Sequence, residues 1–283
     1  GIQSKKGFIL LTGEVGTGKT TLLNRLLDWL PSQRAQAAFI FNPRLSVTQM
    51  LDFMMTDFGI PCESKLKSQV LLRLNQWLLE RYKAGEPAVL IIDEAQNLSH
   101  QVLEEIRLLT NLETSTEKLL QIVLAGQPEL EVKLAQPQLR QLRQRITLRS
   151  KTLPLTLEET AGYIHERLRI AGATDNNIFS PEAIQAVHRL ARGIPRVTNL
   201  LCEHSLINSF VEQHKPVRRE TVEEVAREFQ LEDRPSAGAQ TAALKQSGES
   251  APLVQSLLQN LANLIDRLGH QDPEIETPTE RKP

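Results

Sequence analysis

The sequence is short of cysteine, of net charge and of long apolar runs, and each shortage removes a class of protein. Cys62 and Cys202 are the two cysteines in 283 residues, and they form no CxxC or Cys/His spacing. That counts against a disulfide framework and against a zinc module, and it suits a reducing compartment. A formal net charge of −1 gives no overall attraction to DNA or to an acidic membrane. No apolar run reaches the roughly 18–20 residues needed to cross a bilayer, so no integral membrane segment is expected. The six histidines are scattered without an HExxH or comparable spacing. No internal repeat, helix-turn-helix, LSGGQ signature or NKxD motif is present. No signal peptide is visible, and the chain opens on Gly1 rather than Met, which reads as an N-terminal truncation.

What remains is ordinary for a globular protein, with 40% apolar and 24% charged residues. Such a length supports one large or two modest domains. Phe8 to Leu11 is a short apolar run entering a Gly-rich turn and predicts a buried strand. Leu22, Leu23, Leu26, Leu27 and Leu30 then recur at helical spacing up to Pro31. "AAFIFNP" predicts a second strand, and Ser46 with Gln49 a capping box opening a helix. Leu71, Leu74, Trp77 and Leu78 predict another helix. "AVLIIDEA", Ala88 to Ala95, is an unbroken apolar run ending in two acids, as in a parallel strand covered on both faces. Ser99 caps a further helix, "LLQIVLAG" is a fourth strand and "RITLRS" a fifth. Strands alternating with helices predict a doubly wound α/β parallel sheet.

Beyond Thr152 the strand-like runs stop. Thr156 with Glu159 caps a helix, Ser180 and Pro181 open another, and "GIPR" at Gly193–Arg196 starts a third. The expected organisation is an α/β nucleotide-binding domain over 1–152 and a small all-helical lid domain over 153–231. A linker over 232–251 follows, then an amphipathic helix over 252–269 and a disordered tail over 270–283.

The chemistry centres on "TGEVGTGKTT", Thr12 to Thr21. Gly13, Gly16, Gly18, Lys19 and Thr20 satisfy Gly-x-x-x-x-Gly-Lys-Thr between a strand and a helix. Glycine dihedrals let backbone N–H groups converge on phosphate oxygens, and the helix offers its positive end. The phosphate-binding set is Gly13, Glu14, Val15, Gly16, Thr17, Gly18, Lys19, Thr20 and Thr21. Lys19 neutralises the phosphates of ATP, and the Thr20 hydroxyl reaches Mg²⁺. Asp93 and Glu94 end an apolar strand where open α/β sheets bind ligands. One acid can hold Mg²⁺ while the next polarises the attacking water. Gln127, after the fourth strand, can orient water or touch the γ-phosphate; it can equally cap the helix that follows. Arg140, Arg143, Arg145 and Arg149 form a cluster; Arg145 is the first choice, and Arg143 the second, for a guanidinium supplied in trans. Arg196 opens a helix of the second domain and can reach back toward nucleotide.

Taken together, these residues resemble an AAA+ ATPase. "GEVGTGKTTLL", "LIIDEAQNL", "LETSTEKLLQIVLAGQPEL", "LRQLRQRI" and "GIPRVTNLLCEHSL" are most similar to the ExeA-type ATPases of general secretion pathway component A, over residues 1–231. The resemblance implies ATP hydrolysis by a homo-oligomer. It puts Gln127 at the sensor position, where many AAA+ proteins carry Asn, and Arg196 at the second sensor in the lid. The family's N-terminal adenine-enclosing segment is largely lacking before Gly7. The membrane helix and peptidoglycan-binding domain of some members are lacking too. The leading expectation is a cytoplasmic Mg²⁺–ATP switch, peripheral at the inner membrane, serving secretion, pilus or exopolysaccharide export. DNA-transaction regulation, as in transposition or helicase loading, is the second reading, and a weakly catalytic nucleotide-binding scaffold the third.

Overall fold

The computed structural model describes residues 7–41, 44–64, 66–114, 117–175 and 177–231. The expected linker, amphipathic helix and tail lie outside these residues. Five parallel strands form one sheet in the order β2-β3-β4-β1-β5. They are β1 (Phe8–Gly13), β2 (Gln36–Ile40), β3 (Ala88–Ile92), β4 (Leu120–Gly126) and β5 (Leu148–Thr152). Among the described residues the sheet is flanked by α1 (Lys19–Trp29), α2 (Val47–Asp57), α3 (Lys67–Lys83), α4 (His100–Leu109), α5 (Glu129–Leu134) and α6 (Arg140–Arg145).

The apolar runs of β3 and β4 have no polar side because both faces of these strands are covered. Leu90, Ile92, Ile122 and Leu124 enter a core shared with Met50, Met54, Leu74 and Ile106. Val89, Ile91, Val123 and Ala125 enter a second core with Leu23 and Leu30. Period-2 alternation therefore separates two apolar sets, not an apolar set from a polar one. β5, at the sheet's edge, is different: four of its five residues are exposed, and only Thr152 is partly covered.

The helices begin where side-chain chemistry dictates. Ser46 accepts from the Gln49 amide while Gln49 reaches back to the Ser46 N–H, a complete capping box. Thr156 and Glu159 do the same at the start of α7 (Leu157–Ile170). Pro181 occupies the first turn of α8 (Pro181–Ala191), and Ser180 caps it. α9 (Pro195–Val211) and α10 (Arg219–Glu228) complete a helical region around its own core of Ile164, Val187, Leu201, Val222 and Val225. The fold is thus a parallel α/β sheet followed by a small helical lid. Among the described residues no helix is long and apolar enough to cross a membrane.

Within the lid, Leu155 N donates to Gly193 O at 2.8 Å. The lid meets the β1–α1 loop at a backbone contact: Arg196 N donates to Gly16 O at 3.2 Å. The start of α9 is thereby hydrogen-bonded to the loop between β1 and α1.

Candidate active site

All five strands are parallel, so their C-terminal ends share one rim, where such sheets gather ligands. The β1–α1 loop turns sharply there. Gly16 and Gly18 have φ of 82° and 92°, a region that L side chains rarely adopt. Gly13 is needed for a different reason: a Cβ at this position would lie 1.9 Å from Thr152 Oγ1.

Lys19 points inward and is 5% exposed. Its Nζ donates to Gly13 O at 2.8 Å and Glu14 O at 2.9 Å. Burial pushes its pKa below the usual lysine value, while Glu94, Asp93, Glu14 and Glu129 pull it back up. A buried cation that finds only loop carbonyls inside the chain, with carboxylates around it, is suited to an anionic ligand. Thr17 is buried and donates to Glu14 O at 2.7 Å. Glu14, Val15, Thr20 and Thr21 are exposed around the loop's outer side.

β4 separates β1 from β3, yet the first turn of α1, which follows β1, reaches the residue after β3. Thr20 Oγ1 donates to Asp93 Oδ2 at 2.8 Å, and Asp93 Oδ1 accepts from Glu94 N at 2.8 Å. Asp93 is buried, at 5% exposure. Glu94 adopts a left-handed backbone with φ 51°. Its Oε2 accepts from Gln127 Nε2 at 3.1 Å and also from Gln96 Nε2. Lys19, Thr20, Asp93, Glu94 and Gln127 therefore gather at one end of the sheet.

The arginines lie elsewhere. Arg145 turns to the end of α4, donating to Asn111 Oδ1 at 2.9 Å and Thr110 Oγ1 at 3.5 Å. Arg143 is exposed on α6, and Arg149 donates to its backbone oxygen at 3.4 Å. Neither Arg143 nor Arg145 bonds to Lys19, Asp93 or Glu94 within the chain. Arg196 touches the phosphate loop through its backbone, with its side chain exposed.

Sequence reasoning missed four supporting residues. Gln96 bridges Glu94 and the Gln127 backbone. Thr152 meets Thr17 Oγ1 at 2.7 Å. Glu131 accepts from Thr12 Oγ1 at 2.5 Å and pairs with Lys151 at 3.0 Å. Lys133 Nζ donates to Gln96 O at 2.6 Å and Leu98 O at 2.8 Å. Gln96 carried a weak signal, an amide two residues beyond the acid pair; the other three gain their partners only once β5 pairs with β1 and α5 packs at the strand ends.

The AAA domain family matches residues 2–134. General secretion pathway protein A of Aeromonas hydrophila is 47% identical over 219 residues, 77% of this chain. The chain spans 40% of that relative's length. The ATP-dependent DNA helicase Pif1 of Psychrobacter sp. (strain PRwf-1) is 31% identical over 107 residues, 35% of this chain and 16% of its own. Among solved structures, Cdc6p from Pyrobaculum aerophilum shares the fold with a TM-score of 0.62 at 20% identity, covering 78% of this chain and 60% of that one.

Proposed function

The chain belongs to the AAA+ ATPases of the ExeA type, relatives of general secretion pathway protein A, and from that membership we propose that it hydrolyses ATP with Mg²⁺ as a homo-oligomer serving a bacterial envelope export apparatus. Secretion, pilus and exopolysaccharide export are the candidate pathways. The site of action is the cytoplasmic side of the inner membrane.

The observation that carries the reading is the Thr20–Asp93 contact of 2.8 Å beside the buried Lys19. It joins the phosphate loop to the acid pair across an intervening strand. The loop N–H groups, the start of α1 and Lys19 bind the terminal phosphates. Thr20 and Asp93 hold Mg²⁺. Their hydroxyl and carboxylate oxygens suit a hard cation. Among the described residues there is no group of three His, Cys, Asp or Glu side chains that could hold a metal ion. When bound, Mg²⁺ offsets charge on the transferring phosphoryl group. Glu94 takes the proton of the attacking water, and Gln127 orients that water or the γ-phosphate. Arg145, with Arg143 as the second choice, acts on the nucleotide of a neighbouring subunit. That role accords with an Arg145 guanidinium that bonds to Asn111 and Thr110 rather than to the Lys19, Asp93 and Glu94 of its own chain. Arg196 answers to nucleotide from the lid.

Lys19→Ala is expected to abolish binding of a fluorescent ATP analogue. Glu94→Gln is expected to bind the analogue normally and to lose turnover. Unchanged affinity in the first variant, or unchanged turnover in the second, refutes the reading.

A second reading, DNA transaction, draws on the exposed Arg140, Arg143, Arg149 and Lys151 along α6 and β5 and on the partial Pif1 match. DNA-stimulated hydrolysis with a steep salt dependence would favour it over export.

A further inference from the structure

We infer that Gln96 is a positioning residue that holds the Glu94 carboxylate for proton abstraction; this rests on Glu94 being the base. The left-handed backbone at Glu94 leads into a single 3₁₀ turn, Ala95–Asn97, which brings the side chains of residues 94 and 96 together. The Gln96 amide is used at both ends. Its Nε2 donates to Glu94 Oε2, and its Oε1 accepts from Gln127 N at 3.1 Å. A glutamine offers donor and acceptor at this reach; a glutamate there would set a second carboxylate against the first, and a methionine would fill the volume with neither group.

The surroundings are shaped around this amide. Lys133 fixes the turn from outside, through the carbonyls of Gln96 and Leu98. A Cβ on Gly126 would lie 2.7 Å from Gln96 Oε1 and 2.9 Å from Leu130 Cδ2. The last residue of β4 is thus a glycine where the glutamine needs the space.

Gln127 Nε2 also donates to Glu94 Oε2. Both amides meet the same oxygen, and among the described residues Oε1 receives no hydrogen bond. Oε1 is left to accept a proton. If Gln127 turns toward phosphate, Gln96 remains as the restraint, because it is tied to the backbone of residue 127 and not to its side chain. The carboxylate keeps its aim while the sensor moves.

The test uses Gln96→Met, Gly126→Ala, their double variant and Glu94→Gln. Gln96→Met should lower kcat about tenfold to a hundredfold, the scale of a slightly misplaced reacting group. ATP affinity should stay within about twofold of the parent, because no phosphate contact is removed. Gly126→Ala should reproduce the loss by displacing the same amide, and the double variant should be no slower than Gln96→Met alone. Wild-type turnover in Glu94→Gln would remove the base and with it the premise. With Glu94→Gln inactive, a kcat within about twofold of wild type in Gln96→Met overturns the inference alone. So do a parallel loss of nucleotide affinity and additive losses in the double variant.

Discussion

β3 and β5 both run to the rim where the site lies, and they are held there by different means. Every residue of β3 is buried, with Val89 to Ile92 at 0% exposure, between β2 on one side and β4 on the other. β5 has β1 as its one described strand partner and leaves Leu148 at 40% exposure. Packing from both faces aims Asp93 and Glu94. Backbone pairing and a few polar contacts, Thr152 to Thr17 and Lys151 to Glu131, hold β5. Asp93 and Glu94 thus follow a fully buried strand, while the arginine-bearing α6 leads into the least covered one. A segment with few buried contacts is free to adapt to another surface at low cost.

Four measurements break or sharpen this contrast. Leu90→Ala, at the centre of β3, should cost about 2–5 kcal/mol in urea unfolding, because a full side chain leaves a closed core. Thr12→Val comes next. It removes the hydroxyl that is the first cause of the lowered Glu131 pKa, with Lys151 assisting and burial opposing. A carboxyl whose folded value is depressed adds stability that is complete above its unfolded value and lost as pH falls through the folded one. The variant should therefore lose about 1–3 kcal/mol at neutral pH and progressively less toward pH 3; an equal loss at both ends would mean packing, not charge, holds the β1–α5–β5 corner. Leu148→Ala on β5 should cost under about 1 kcal/mol, and a loss matching that of Leu90→Ala would erase the contrast. The smallest effect expected is none at all. Burial pushes the Cys202 thiol up to about 12, so iodoacetamide at pH 8 should leave it unmodified in the native protein. Its labelling before unfolding would make the helical core as open as β5.

Much of this was legible in the chain itself. The phosphate loop declares itself through glycines spaced for one turn, and β3 through an apolar run that ends in acids. Both capping boxes were readable because their partners lie three residues apart. Local signals of that kind survive without knowledge of the fold. Strand order does not: Thr20 and Asp93 were both expected at Mg²⁺, but their direct hydrogen bond, with β4 lying between β1 and β3, was not readable. Thr152 resembles any other polar residue at a strand end until β5 pairs with β1 and puts its hydroxyl against Gly13. Glu131 and Lys133 look like the solvent face of a short helix; each turns inward to a partner far along the sequence. Gln127 was placed by its position after an apolar strand, whereas its meeting with Glu94 depends on β3 and β4 being neighbours.

Gly16 illustrates how tightly two duties can share one atom position. Its missing Cβ leaves room for Arg196 Cβ, which would otherwise lie at 2.8 Å, and its φ of 82° serves the turn. Any replacement there is penalised twice, so mutation cannot retune the grip on anions without also unseating the helix pressed against it. How firmly that helix sits is better adjusted through the other partners, Ile194 and Arg196, whose side chains can change while the turn keeps its shape.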